Sequence, residues 1–374
     1  MKAKNYFSII ALNCICLLTY GQNLEIYVSD AGGFNSPPWQ ILKFDGNGEN
    51  PEIFIEDSLG WPQDILFLED QEVVLISNLS SGEINRHSAD DGTYIDQFAA
   101  VTGGPTRMAI GADELIYVLQ WSGNGSVLRF DQNGNFVDEF TDLGVNQSIG
   151  MAWDEEGRLY ISSYGGDLVE RFNSDGTSDG TFIETNLAGP TNIWFEENGN
   201  LLVSDYNAGS IKRFDSDGDF MGVYIPSLSQ PEGIAYLPSG ELLIGNGGTG
   251  EVKRFDDEGM FIDDFIPSGT NPGLVTPNAV VVRSLNTSLD SGFEQDQNFI
   301  VPSIGQTFYI SSEMSQNITS MSVFSSTGHE IDNLPVTDDV VWDASSRNDG
   351  FYIINATLSD GLVLKQKVMV QVRH

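Results

Sequence analysis

Cysteine, histidine and basic residues are all scarce in this 374-residue chain. The two cysteines, Cys14 and Cys16, lie close to the N-terminus, and the three histidines are His87, His329 and His374. A zinc centre needs several His or Cys ligands, and a Ser-His-Asp or Cys-His arrangement needs a histidine beside its nucleophile. With so few histidines, spread over distant parts of the chain, the sequence favours neither chemistry.

The N-terminal segment MKAKNYFSIIALNCICLLTYG has the pattern of a secretory signal peptide. Lys2 and Lys4 precede an apolar run over residues 7–18, and the segment ends on the small Gly21. We therefore predict a signal peptide over residues 1–21, whose removal leaves a chain without thiol or disulfide. The apolar run is too short to cross a bilayer as a helix, and no later stretch is apolar enough, so no transmembrane segment is predicted after signal removal.

Negative charge dominates the composition. The chain has 54 acidic and 17 basic residues, a formal net charge of −37 at pH 7. Nucleic acid and anionic membrane surfaces repel such a protein, so neither is a predicted partner. A high acidic load also favours solubility. We interpret it as a solvated exported surface in preference to a dedicated cation-binding role.

One phrase recurs along the chain. IKRFDSDG, at residues 211–218, returns as LKFDGNG, INRHSADDG, VLRFDQNG, VERFNSDG and VKRFDDEG. Its aromatic residue or histidine recurs at intervals of 41 to 43 residues, at Phe44, His87, Phe130, Phe172, Phe214 and Phe255. A fixed period of this size indicates one supersecondary unit per copy. We predict that His87 is a packed ring and not a ligand, because no other histidine lies in the repeats.

Each repeat contains four strand-like runs joined by turns. In the fifth copy these runs are GPTNIWF, NLLVSDY, SIKRFDSDG and DFMGVYI. Apolar and polar residues alternate within the runs, Gly, Asp and Asn separate them, and helical spacing is absent. Four antiparallel strands in about 43 residues are typical of a β-propeller blade.

The two ends of the repeat array indicate how the ring closes. LEIYVSDAG, at residues 24–32, matches the second strand of a blade, but no first strand precedes it. TPNAVVVR, at residues 276–283, matches a first strand, but no second strand follows. We predict that the segment near Val281 pairs with the segment near Tyr27. This pairing completes six blades and removes the exposed sheet edges.

The repeat resembles known propeller families over residues 22–283. The pattern Pro-x-x-Ile-x-x-x-x-x-Gly-x-Leu-x-Val-Ser-Asp, followed by Ile-x-Arg-Phe-Asp-x-x-Gly, is similar to NHL-repeat propellers and, more distantly, to the gluconolactonase and senescence marker protein family. The resemblance implies an all-β fold with a six-bladed β-propeller. It implies less about function, because these folds include lyases, lactonases, esterases and binding surfaces.

The gluconolactonase-like enzymes hold a divalent cation, calcium or a similar ion, in the central channel. The positions of this chain that match their ligand positions are Gln63, Thr106, Ile149, Thr191, Glu232 and Asn278. Of these, Glu232 and Asn278 are the oxygen ligands that the resemblance implies for a metal. Asp64 and Asn192 lie one residue further along, where strand alternation turns them away unless a bulge intervenes.

The turns after the repeated phrase offer a second interpretation of the acidic residues. Asp215, Asp217 and Asp219 have the spacing of a calcium loop, but the bidentate Glu of an EF-hand loop is missing. We favour hairpin turns, with bound calcium as the alternative.

First-strand starts and second-strand ends are expected to meet at the mouth of the channel. The residues predicted to bind a ligand there are Asp30, Asp64, Arg107, Trp121, Tyr164, Asn192, Asp205 and Tyr206. Aromatic rings beside amides and carboxylates suit sugars or other small polar ligands. The alternative is that the aromatic residues only pack the loops of the rim.

After the repeats, residues 284–298 are polar and without strand periodicity, which predicts a linker. Residues 299–374 contain short alternating strands and turns, which predict a small β-sandwich. The motifs VFSSTGHE, WDAS, DGFYI and KQKVMV resemble the C-terminal sorting domain of proteins exported by the bacterial type IX secretion system. At the start, Ile300-Val-Pro-Ser stands where that family usually has Pro-Asn-Pro. The resemblance implies that the type IX machinery is a partner and that the protein is secreted or attached to the outer cell surface.

Two functions remain open from the sequence. The first is an exported binding or interaction module for a glycan, a peptide or a surface partner. The alternative is a divalent-metal-dependent hydrolase or lactonase, in which Glu232 holds a cation that polarises a carbonyl or activates water.

Overall fold

Short strands, nearly all paired antiparallel, are almost the only regular secondary structure of the described chain. The computed structural model describes residues 23–196 and 198–285, and in the C-terminal part residues 300–301, 304–310, 318–325, 330–334, 340–345, 347, 350–358 and 363–370. The chain divides between residues 287 and 288 into two compact units. The predicted signal peptide and most of the predicted linker lie outside the described residues.

In the first unit, the described residues form six sheets of four antiparallel strands. The first sheet contains β1 (Asn23–Asp30), β2 (Gln40–Asp45), β3 (Glu52–Ile55) and β24 (Pro277–Leu285); the second β4 (Pro62–Leu68), β5 (Val73–Asn78), β6 (Glu83–Ser88) and β7 (Tyr94–Ala100); the third β8 (Pro105–Ile110), β9 (Ile116–Gln120), β10 (Leu128–Phe130) and β11 (Phe136–Glu139). The fourth contains β12 (Ser148–Trp153), β13 (Leu159–Ser163), β14 (Leu168–Phe172) and β15 (Ser178–Ile183); the fifth β16 (Pro190–Phe195), β17 (Leu201–Asp205), β18 (Ser210–Phe214) and β19 (Phe220–Ile225); the sixth β20 (Pro231–Tyr236), β21 (Leu242–Asn246), β22 (Glu251–Phe255) and β23 (Phe261–Ile266). A single 3-10 turn, Glu69–Gln71, follows β4 in this described part.

The inner strands of neighbouring sheets contact one another in a closed cycle. In order around the cycle they are β24, β4, β8, β12, β16 and β20, and β20 contacts β24 again. They surround a central channel, and each sheet is one blade. The ring is a six-bladed β-propeller.

The ring closes as the sequence predicts. β24 pairs with β1 in antiparallel register, and Tyr27 lies opposite Val281. The late strand is therefore the inner strand of the blade that the early strands begin. β24 extends to Leu285, two residues beyond the predicted end of the propeller.

The repeated phrase supplies the core between blades. Ile211 and Phe214 of β18 are both fully buried. Phe214 packs with Tyr160 of the preceding blade, and Ile211 packs with Ile244 of the following blade. One strand therefore contributes to two inter-blade cores, because alternating side chains point to opposite faces of the sheet. Similar clusters lie between all neighbouring blades.

His87 is a packed ring, as predicted. Its side chain is fully buried, its Nδ1 lies 3.0 Å from the carbonyl oxygen of Gly92, and its ring packs edge-on against Tyr94 at 5.6 Å. Burial lowers the pKa of the imidazole, so the ring stays neutral.

The second unit is a small two-sheet sandwich, in agreement with the sequence prediction. Its strands are β25 (Ile300–Val301), β26 (Ile304–Gly305), β27 (Thr307–Ile310), β28 (Ile318–Ser325), β29 (Glu330–Leu334), β30 (Val340–Asp343), β31 (Gly350–Leu358) and β32 (Val363–Val370). One sheet has the order β25-β27-β30 and the other β26-β32-β31-β28-β29. Phe308 and Trp342 of the first sheet share a core with Val323 and Ile354 of the second. Part of the VFSSTGHE motif lies outside the described residues. Within the described ranges, no helix has the length and apolarity needed to cross a membrane.

Candidate functional site: the channel and its mouth

A β-bulge lies at the start of every inner strand. The pairing with the second strand shifts register there in all six blades, for example between Pro62 and Asp64 in β4 and between Pro190 and Ile193 in β16. A bulge interrupts the alternation and re-aims the side chains beside it. Because of these bulges, the side chains of Asp64 and Asn192 make contacts in the channel. Strict strand alternation would have turned both side chains away from it.

Arg107, the third residue of β8, reaches across the channel. Its Nε donates to Asn192 Oδ1 at 3.0 Å, and an Nη donates to Glu232 Oε1 at 3.0 Å. The guanidinium also donates to the backbone carbonyl oxygens of Gln63 and Asn278. These partners belong to the fifth, sixth, second and first blades, so one side chain from the third blade links five of the six blades.

Bonds between adjacent inner strands complete this channel network. Asp64 Oδ2 accepts a hydrogen bond from the backbone N–H of Met108 at 2.7 Å, and Asn278 Nδ2 donates to the carbonyl oxygen of Pro62 at 2.9 Å. Each bond joins one blade to the next. The channel centre is thus filled by protein groups that bond to one another, although Asn278 Oδ1 has no partner among the described residues.

The electrostatics of the network follow from burial. Burial raises the pKa of Glu232 and of Asp64 above their ordinary values, and Arg107 opposes the rise for both carboxyl groups. The nearby charge of Asp64 also raises the pKa of Glu232. The single positive charge of Arg107 therefore offsets the negative charge of both carboxylates. Each carboxylate depends on this charge to stay ionised at a buried position.

These residues do not fit a divalent-cation site of the gluconolactonase type. Arg107 already supplies a positive charge at the channel centre and occupies Glu232 Oε1. Asn278 uses its Nδ2 to brace Pro62, and its buried Oδ1 finds no hydrogen-bond partner among the described residues. A hard cation needs several free oxygens, preferably from more than one carboxylate. The predicted pair offers a single carboxylate, already paired with Arg107, and one unpartnered amide oxygen, Asn278 Oδ1, which is fewer oxygens than such a cation needs.

Asp30 and Asp205 hold loops and do not line the mouth. Both side chains are fully buried. Both carboxylate oxygens of Asp205 lie 3.0 Å from the backbone N–H of Ala188, and Lys212 pairs with Asp205 at 2.6 Å. Asp30 accepts hydrogen bonds from loop N–H groups that include that of Thr276 at 2.8 Å. The oxygens of these two predicted ligand-binding residues are therefore engaged inside the fold.

The last two positions of the second strands, which are Ser-Asp in the first and fifth blades, have two structural roles. Ser204 Oγ donates to the carbonyl oxygen of Pro231 in the next blade at 2.8 Å. The residue after the serine position holds the loop that leads into its own blade. In the sixth blade, for example, Asn246 Oδ1 accepts a hydrogen bond from Ser229 N–H at 2.6 Å. Equivalent inter-blade bonds start from Ser29, Ser77 and Ser162. Repetition of the motif was the signal that it serves the fold.

Three half-buried rings form an aromatic arc at the channel mouth: Trp121, Tyr164 and Tyr206. Each directly follows the second strand of its blade. The ring centroids are 5.6 Å apart for Trp121 and Tyr164 and 5.9 Å apart for Tyr164 and Tyr206. Burial and then the negative charge of Glu232 raise the pKa of Tyr206, so the arc borders the channel network.

The acidic turns after the repeated phrase satisfy themselves. Asp215 Oδ1 accepts hydrogen bonds from the backbone N–H groups of Asp217 and Asp219 at 3.0 and 2.9 Å. Asp131 and Asp256 make the same pair of bonds in their turns. This geometry is that of a turn closed by an aspartate side chain, and it accounts for the aspartate without a bound cation.

Trp61 is a mouth residue that the sequence predictions missed. It lines a groove of about 620 Å³ together with Trp121. Trp61 directly precedes the inner strand of its blade, at a position that the third and fifth blades fill with Gly104 and Gly189. The other blades have Gln147, Gln230 and Thr276 there, so the available signal was a tryptophan where every sibling repeat has a small or polar residue.

Comparison with known proteins supports the fold alone. No protein-family model matches the chain, and no curated protein matches it in sequence. A chain from a nidogen/laminin complex is similar in structure, with a TM-score of 0.56 and 16% identity over 69% of this chain and 98% of that chain. A protein of unknown function from Bacteroides caccae has a TM-score of 0.52 and 15% identity over 70% of this chain and 98% of that chain. A chain named as a proposed gluconolactonase has a TM-score of 0.49 and 17% identity over 61% of this chain and 90% of that chain.

Proposed function

We propose that this protein is an exported binding module whose propeller captures its ligand at the channel mouth. The observation that carries the proposal is the ion pair of Arg107 and Glu232, at 3.0 Å. It occupies the carboxylate on which the metal-dependent alternative depends. The aromatic arc, in contrast, remains half-exposed beside this network and is open to a ligand.

The chemistry of the mouth favours a ligand with both flat apolar faces and polar groups. Tyr164 and Tyr206 offer ring faces, and Tyr164 donates its hydroxyl hydrogen to Asn207 Oδ1 at 3.3 Å. A few polar groups around aromatic surface are typical of small-ligand sites. The structurally similar nidogen/laminin chain comes from a protein complex. From this similarity we extend to the present protein only the general role of a propeller as a binding partner.

The aromatic arc provides the test of this function. We expect Tyr164→Ala and Tyr206→Ala each to weaken capture of a ligand, selected from glycan and peptide arrays, by about 10-fold or more, because buried aromatic anchors dominate binding energy. Isothermal titration calorimetry measures the loss. Tyr94→Ala is the matched control, because Tyr94 lies on an outer strand away from the mouth and is 43% exposed.

Two results would contradict the proposal. One is that neither tyrosine substitution changes the affinity for any selected ligand. The other is that the purified protein contains stoichiometric metal, loses it on Glu232→Ala, and hydrolyses lactones or esters in a metal-dependent manner. The second result would restore the hydrolase alternative.

We further propose that the two ends of the chain direct its export. The predicted signal peptide, residues 1–21, would lead across the inner membrane, and residues 299–374 would then act as a type IX sorting domain. Support comes from the motifs and from the two-sheet sandwich, in which β31 begins at Gly350 of DGFYI and β32 contains KQKVMV. The protein would end secreted or attached to the outer cell surface.

Deletion of residues 299–374 tests the sorting role. In a bacterium with a type IX system, we expect the truncated protein to remain in the periplasm, because the machinery would lack its recognition domain. Cell fractionation and immunoblotting measure the distribution. Tyr206→Ala in the full chain is the control and should be exported normally. Export of the truncated chain at the wild-type level would refute the assignment.

A further inference from the structure

The mouth face carries a groove that lies beside the aromatic arc. Its volume is about 620 Å³, and loops of the second and third blades line it together with residues of β6 and β7. Trp61 and Trp121 both line it, and both indoles are half-buried. Trp121 belongs to the groove and to the arc, whereas Trp61 belongs to the groove alone. The two features can therefore be tested separately.

Trp61, on the wall of the groove, packs against Phe34, a neighbouring residue that does not itself line it. Trp61 has φ 51° and Phe34 has φ 60°, in the left-handed region that bulky residues rarely adopt. Their rings pack against each other with centroids 5.3 Å apart. Gln147 and Gln230, at the equivalent positions of the fourth and sixth blades, have φ 51° and 53°, so this backbone conformation recurs in the fold. Only the indole is particular to the second blade, and its half-buried surface borders the groove.

Several polar side chains of the lining are uncommitted. It includes the hydroxyl of Ser80, the carboxylate of Glu83 and the amide of Gln97. In the described parts of the chain, no hydrogen bond or ion pair engages these three side chains. Gly82, Gly103 and Gly104 also line the groove, but their backbone groups bond to neighbouring loops, so the side chains supply the polar contacts. A ligand rich in hydroxyl groups would find both donors and acceptors.

The charge of the lining and of the whole chain restricts the class of ligand that the groove binds. The lining has a carboxylate, and none of the described lining residues is lysine or arginine. The whole chain has a net charge of −37. Anionic ligands such as acidic polysaccharides or phosphorylated groups would be repelled. An extended peptide would pair with a free strand edge, and Gln97 and Ala100 of the outer strand β7 do line the groove, so peptide binding is one of the outcomes that the test below separates.

We propose that the groove between Trp61 and Trp121 binds a neutral oligosaccharide, with sugar rings against the indoles and hydroxyl groups on Ser80, Glu83 and Gln97. This inference rests on the proposed binding function and specifies its ligand. Apolar C–H faces of sugar rings pack on the indoles, and the equatorial hydroxyl groups reach the polar lining. The arc would extend the same surface toward the channel for longer chains.

A panel of defined sugars tests the inference. Cellohexaose, laminarihexaose, mannohexaose and N-acetylchitohexaose are titrated into the chain from Gln22 to His374, with a galacturonate hexamer as the anionic comparison, and binding is followed by calorimetry. We expect at least one neutral hexasaccharide to bind and the anionic one not to bind. Trp61→Ala and Trp121→Ala should each weaken binding by about 10-fold or more.

Matched variants keep the test decisive. Trp194→Ala removes an indole outside the groove and should leave affinity unchanged, since Trp194 instead contacts Tyr236. Gln97→Ala, on an exposed strand residue that does not threaten folding, should weaken binding several-fold and serves if Trp61→Ala fails to fold.

The outcomes separate this inference from the proposed function. Binding that depends on Tyr206 but not on Trp61 or Gln97, or a ligand that proves to be a peptide or an anionic sugar, would overturn the inference and leave the binding function standing. Absence of any ligand, together with metal-dependent hydrolysis, would overturn both.

Discussion

Replacing Arg107 by methionine is expected to lower the free energy of unfolding by about 3–5 kcal/mol, the usual cost of removing one partner of a buried ion pair. The side chains of Arg107 and Glu232 are each only 8% exposed. Without the guanidinium, Glu232 and Asp64 remain buried with no cation in the network. The contacts to the Gln63 and Asn278 carbonyls are lost as well.

The loss should depend on pH. Burial already raises the pKa of Glu232 and Asp64, and Arg107 opposes that rise. In Arg107→Met the folded-state pKa values rise further, so the folded protein holds protons that the unfolded chain releases above about pH 4. A carboxyl group whose pKa is higher in the folded state contributes its full stability when the pH is below its unfolded-state pKa. That contribution is lost as the pH rises through its folded-state pKa. The variant should therefore be less impaired at about pH 4.5 than at about pH 7.5.

Urea denaturation of wild type and variant at the two pH values measures both effects. Arg158→Met is the matched control, because the side chain of Arg158 is 35% exposed and its pair with Asp154 should contribute less than about 1 kcal/mol. Adding Glu232→Gln to Arg107→Met should recover part of the loss, since it removes one uncompensated charge. A loss below about 1 kcal/mol for Arg107→Met, or one that does not change with pH, would contradict the role of Arg107 as the central ion-pair partner.

Joining Leu24 to Ser284 by an engineered disulfide is expected to raise the free energy of unfolding by up to about 5 kcal/mol. The two residues are opposite each other in the β1–β24 pair that closes the ring. A cross-link between them encloses almost the whole propeller, and the chain-entropy gain grows with loop length. Strain in the native bond reduces the gain. The chain from Gln22 contains no cysteine of its own, so the pair Leu24→Cys and Ser284→Cys has no competing partner.

Comparison of oxidised and reduced protein in urea, with mass spectrometry of the cross-linked peptides, measures this gain. The control pairs Leu24→Cys with Arg283→Cys, one residue out of register. Successive strand residues point to opposite faces of the sheet, so this pair should not form a disulfide. Efficient bonding in the control, or none in the test pair, would mean that β24 closes the ring in a different register.

Much of the fold could be predicted because its signals are local and repeated. Strand alternation, the aspartate-closed turns and the period of 41 to 43 residues each appear in one blade and recur in the others. The unmatched strands at the two ends of the array predicted how the ring closes, and in the structure Tyr27 lies opposite Val281. The same repetition misled the site prediction at Asp30 and Asp205, whose position recurs because it braces loops.

The sequence by itself determined an all-β ring of six blades followed by a sandwich, because each unit specifies its own strands and turns. Only the tertiary structure decided which side chains meet in the channel. Arg107 lies 85 residues from Asn192 and 125 from Glu232, and nothing local to any of the three indicates their contact. The physical reason is that a bulge at the start of each inner strand re-aims one residue per blade, and ring closure then brings residues from distant repeats to one point.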